Sequence, residues 1–61
     1  MHLILVTAWG LQVGDVLMQG FYAREVIEVT GQAVRFRSEI GFDCLHPRDD
    51  AVFLVRRNPA E

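Results

Sequence analysis

Sixty-one residues bound the chain at one small domain, and a single cysteine, Cys44, excludes an intrachain disulfide. Hydrophobic residues make up 51% of it and the formal net charge is −2, which lacks the global positive charge of a phosphate-neutralising protein. So short a chain hides too little of its apolar surface, so a surface patch for a partner is expected.

The chain opens on "MHLILVTAWG". No lysine or arginine precedes the apolar run, and Leu3 to Val6 is too short for a signal peptide. A membrane span needs about 20 apolar residues. Residues 2–9 therefore read as a buried strand of a cytoplasmic protein with a free thiol. Gly14-Asp15 marks a turn before a second strand, "DVLMQ" (15–19). "YAREVIEV" (22–29) is the third, where three β-branched residues outweigh good helix formers. "AVRFRSE" (33–39) is the fourth and "AVFLVRR" (51–57) the fifth. Glycines at 10, 14, 20, 31 and 41 punctuate these runs in the rhythm of an all-β fold. Residues 1–57 form the predicted domain, and 58–61 a frayed tail.

The alternation Val34-Arg35-Phe36-Arg37 poses the main functional question. Arginines flanking an exposed aromatic would suit a nucleic-acid-binding strand. A two-residue type II′ hairpin at Gly31-Gln32 predicts otherwise. It places Val29 opposite Val34, Glu28 opposite Arg35, Ile27 opposite Phe36 and Arg24 opposite Glu39. Phe36 then points into the core, two arginines gain carboxylate neighbours and only Arg37 is left over.

"DCLHPRDD" (43–50) is the densest polar cluster. Cys44 and His46, two apart, fall on one side of an extended segment and would begin a zinc site, yet no second ligand pair exists. Cys44 reads instead as a small buried hydrophobe and His46 as a turn residue. Asp49-Asp50 are expected to begin a turn or to cap a short helical turn near residues 47–50. A Cys–His nucleophile lacks a predicted pocket and oxyanion stabiliser, and no phosphate-cradling glycine loop occurs. No catalytic residue, metal ligand or cofactor is predicted. Arg56-Arg57 read as charges guarding an edge strand, or as partners of Arg37 and Arg48 in a basic patch. Trp9, Phe21, Tyr22 and Phe42, beside glycines at strand ends, plug a small barrel or line a groove.

Five short strands, "VGDVL" (13–17) and the hairpin "VIEVTGQAVRFRS" (26–38) resemble an SH3-like small β-barrel over most of residues 13 to 57. The resemblance implies a five-stranded barrel. It also implies a role drawn from that group: binding peptides, modified tails, RNA or DNA, or oligomerising. The paired aromatics and acidic loop of peptide-binding SH3 domains are missing, as is an aromatic cage.

The expected function is a non-enzymatic interaction module that self-associates or docks on a protein partner, with Leu3 to Val6 able to pair across a subunit boundary. The alternative is a nucleic-acid-binding accessory domain. The candidate binding residues are Arg35, Arg37, Arg56, Arg57, Trp9 and Tyr22.

Overall fold

A computed structural model describes residues 2–18 and 23–57, apart from the His2 side chain. Tyr22, Phe21 and the expected tail 58–61 lie outside the described residues. The fold is all-β. Its strands are β1 (His2–Thr7), β2 (Val16–Leu17), β3 (Arg24–Val29), β4 (Ala33–Ser38), β5 (Asp43–Pro47) and β6 (Val52–Arg57). They form one antiparallel six-stranded sheet in the order β1-β6-β2-β3-β4-β5.

The expected five-stranded closed barrel is thus corrected on two counts. A further strand, β5, lies in the polar cluster. The sheet also stays open, because β1 and β5 are both edges. Strand β5 escaped notice because it carries Asp43, His46 and Pro47, which weaken a strand signal. An edge tolerates Pro47. Ser38 N donates to Phe42 O at 2.9 Å and Arg48 N to Gln32 O at 3.1 Å. Even-numbered residues of β5 therefore bond β4, and the nitrogen of Pro47 falls on the free side, where no donor is needed.

The helical turn expected near 47–50 is absent: residues 48–50 are bends. Asp49 Oδ1 accepts Ala51 N at 3.0 Å and closes a local side-chain turn instead. A 3-10 turn does form, at Ala8–Gly10.

The β3–β4 hairpin turns where expected, but by other means. Positive φ occurs at Gly14 (96°) and Gly41 (88°) and not at Gly31, so no type II′ turn is present. The Thr30 hydroxyl accepts Gln32 N at 3.2 Å and Ala33 N at 3.0 Å, supplying the turn from a side chain. Val29↔Val34 and Glu28↔Arg35 pair as predicted. A β-bulge at Ile27 then shifts the register to Val26↔Phe36, Glu25↔Arg37 and Arg24↔Ser38. The bulge puts Val26 inside and dissolves the Arg24–Glu39 pairing.

The core comprises Ala8, Leu11, Leu17, Val26, Val34, Phe36 and Val55, with Ile4, Val6, Val29 and Phe53 packed against it. Full burial of a large aliphatic or phenyl side chain stabilises by about 1.5–3 kcal/mol. Phe36 is buried, as the alternation argument required.

One buried ion pair pins the sheet's centre. A turn from Gln12 to Asp15, closed by Asp15 N to Gln12 O at 3.0 Å, uses the positive φ of Gly14 and leads into β2. It delivers Asp15, 2% exposed, to the end of β6. There Arg57 donates from Nε at 2.8 Å and Nη2 at 2.6 Å, and Gln12 N adds a bond at 2.9 Å. Arg57 Nη2 also reaches Gly10 O at 2.8 Å. The hydrogen bonds from Arg57 to Asp15 raise the pKa of the guanidinium.

Candidate interaction surface

The candidate arginines divide among different partners. Arg35 lies 3.2 Å from Glu28. Arg37, expected to be left over, grips Asp43 with Nε at 2.8 Å and Nη2 at 3.3 Å. That hydrogen bond raises the Arg37 pKa and lowers that of Asp43. Arg57 is committed to Asp15. Arg56 sits on β6, which is an inner strand and no guarded edge. Arg37 and Arg56 do meet, lining an open depression of about 290 Å³ together with Glu25 and Glu39. Their positive charge is offset there by two carboxylates.

Arg48 ties one end of the molecule together. Its Nη1 donates to Thr30 O at 2.8 Å and its Nη2 to Trp9 O. The guanidinium carbon stands 5.4 Å from the Trp9 ring centroid, a cation–π distance. Trp9 remains 54% exposed beneath it.

Cys44 and His46 share a face of β5, as their spacing predicts. Cys44 is exposed, against the expectation of burial, because β5 has no outer neighbour to cover it. His46 is no turn residue: its ring stacks edge-on to Phe53 at 5.2 Å, with Nε2 3.2 Å from Asp49 Oδ1. The Asp49 pKa is lowered, first by the bond from Ala51 N and then by His46. Among the described residues no group of three or more His, Cys, Asp or Glu side chains is placed to hold a metal ion. No described helix is long and apolar enough to cross a membrane.

The apolar surplus surfaces at β1. Ala8 N donates to Ala51 O at 3.0 Å, and Met18 N to Leu54 O at 2.9 Å. Strand parity then directs the backbone groups of Phe53 and Val55 to β1, and those of Leu54 and Arg56 to β2. On β1, residues 2, 4 and 6 bond β6, while the N–H and C=O groups of Leu3, Leu5 and Thr7 face the open edge. The side chains of Leu3 and Leu5 are 62% and 71% exposed, and Val52, opposite Thr7, is 55% exposed. On the same outer face the pairing brings Leu5 beside Leu54 and Leu3 beside Arg56. On the outer face apolar side chains predominate at β1 and at Val52 and Leu54 of β6, Arg56 interrupts them, charges gather over β3 and β4, and β5 presents Asp43 beside exposed Leu45.

Two features were invisible in the sequence. Asp15 read only as a turn residue, and nothing local signals a partner 42 positions away. The pairing of Arg37 with Asp43 required β5 to be recognised. No family model matches this chain, and neither a curated protein nor a solved structure is significantly similar to it.

Proposed function

We propose that the chain is a non-enzymatic interaction module whose sheet is extended by a further strand at β1. One observation carries this reading: at the alternate edge residues Leu3 and Leu5 the outward backbone donors and acceptors, and at Thr7 the outward N–H, meet no partner among the described residues, and they lie beside exposed leucines. Edges of this kind are normally blunted by charge, proline or a covering loop. From Leu3 to Thr7 β1 carries no charge and no proline, and no loop among the described residues covers it. Main-chain bonds supply affinity in strand addition, and alternate side chains supply selectivity.

The succession β2-β3-β4-β5, with β6 returning beside β2, supports kinship with SH3-like proteins. That kinship offers a range of binding roles without choosing one. Exposed Cys44 fits a reducing compartment such as the cytoplasm. The alternative, nucleic-acid binding through an arginine patch, has less support: Arg35, Arg37 and Arg57 each lie against a carboxylate.

Leu5→Pro tests the edge. Proline there removes only an outward N–H and leaves the β1–β6 ladder bonds in place. Sedimentation over a range of concentrations is expected to show association by the parent and its loss in Leu5→Pro, with circular dichroism reporting the retained fold. A parent chain that stays monomeric at high concentration, yet binds mixed-sequence DNA or RNA at low salt, would favour the alternative.

A further inference from the structure

We infer that the strand completing β1 is β1 of a second copy, joined antiparallel about a two-fold axis through Leu5; this rests on the edge-addition reading above. Parity limits the choices. Among the described residues of β1 only Leu3, Leu5 and Thr7 point their backbone groups outward, so the described hydrogen-bonded pairs across the axis come from these three. Centring on Leu5 pairs Leu5 with its own copy and Leu3 with Thr7, so all three outward residues meet a described partner, the Thr7 C=O being shared with the 3-10 turn that it caps. Centring on Ile4 pairs Leu3 with Leu5 and leaves Thr7 without a partner among the described residues.

Charge favours a copy over a foreign strand. A two-fold axis sets the edge beside its own copy, so a net charge along it would repel its like. Leu3 to Thr7 carries none, and a neutral edge gives a charged partner nothing to select. Side chains agree with this register. Leu5 meets Leu5 on the outer face, and Ile4 meets Val6 on the face that already packs against the core.

The competing assembly joins β1 of one copy to β5 of the next and propagates as an open filament. Strand β5 is poorly suited to that. Its free side presents residues 43, 45 and 47, where Pro47 has no donor and Asp43 brings a charge already held by Arg37. The chain thus has one unguarded edge and one guarded edge, the condition for a closed dimer.

Disulfide trapping in the full chain, with exposed Cys44 replaced by serine, tests the register. Directly opposed hydrogen-bonded residues have Cα atoms about 5.5 Å apart, within disulfide reach. In the Leu5 register, position 3 lies opposite position 7, so two copies of position 3 are about 14 Å apart at about 3.4 Å per residue. Leu5→Cys is expected to give a covalent dimer under mild oxidation, Leu3→Cys to give none, and sedimentation to show a dimer before oxidation. A β1-dependent dimer that traps through Leu3→Cys and not Leu5→Cys would overturn the register and leave edge addition intact. A concentration-dependent series of higher oligomers would overturn the two-fold and favour the filament. A monomer under all conditions would overturn the second copy as the occupant while leaving edge addition by a foreign strand intact.

Discussion

Replacing Asp15 with alanine removes the acceptor of three hydrogen bonds, from Gln12 N, Arg57 Nε and Arg57 Nη2. Breaking a buried ion pair by deleting one partner costs about 3–5 kcal/mol. Here the Arg57 side chain is 26% exposed and regains water when freed, which lowers the cost to about 2–3 kcal/mol. A domain of this length has only roughly 3–9 kcal/mol of stability at 0.05–0.15 kcal/mol per residue. At about 4–8 °C per kcal/mol, the melting temperature should fall by about 10–20 °C. Thermal unfolding followed by far-ultraviolet circular dichroism measures this directly. Arg57→Met should be at least as costly, because it strands the carboxylate, which is 2% exposed, in place of the better-hydrated guanidinium. Asp15→Ala melting within about 2 °C of the parent, or Arg57→Met proving the milder change, would refute the assignment of this pair as the pin between β2 and β6.

The Asp43 carboxyl should titrate below its ordinary value of 3.8, chiefly through the hydrogen bond from Arg37. Because the folded pKa is the lower one, the stabilisation is complete above about pH 5 and is lost as pH falls through the unfolded and then the folded value. Carboxyl chemical shifts measured against pH report the midpoint, and Arg37→Met should return it towards 3.8. Arg48→Ala should uncover the sole tryptophan, Trp9, red-shifting its fluorescence and increasing acrylamide quenching. It should also destabilise by about 1–2 kcal/mol through lost carbonyl bonds and ring contact; unchanged quenching would mean that the stacking does not persist in solution.

What was legible in the sequence follows from how local each determinant is. Alternation set the inward direction of Phe36, and the Thr30–Ala33 turn set the first two pairs of the hairpin, so both were readable. The bulge at Ile27 has no local signature: it arises because burying Val26 with Phe36 outweighs an unbroken ladder. Strand β5 was obscured because an edge strand is free to carry proline, histidine and aspartate. For the candidate surface, the neutral N-terminal run was visible as a pairing segment. Its position at an open edge, with β6 alone as neighbour, depended on the whole strand order. The arginines misled in the opposite way. Their number suggested a patch, while their partners, Asp15, Glu28 and Asp43, are fixed by tertiary placement.

β6, the last of the described strands, lies between β1, the first of them, and β2. No early contact along the chain substitutes for it, so β1 stays adrift until residues 52–57 have docked. Topologies governed by such distant pairings fold on a scale of about milliseconds to seconds, far slower than helical domains of equal size. Throughout that interval the leucine-rich leader strand is loose in an unfinished chain, so refolding yield should fall as protein concentration rises.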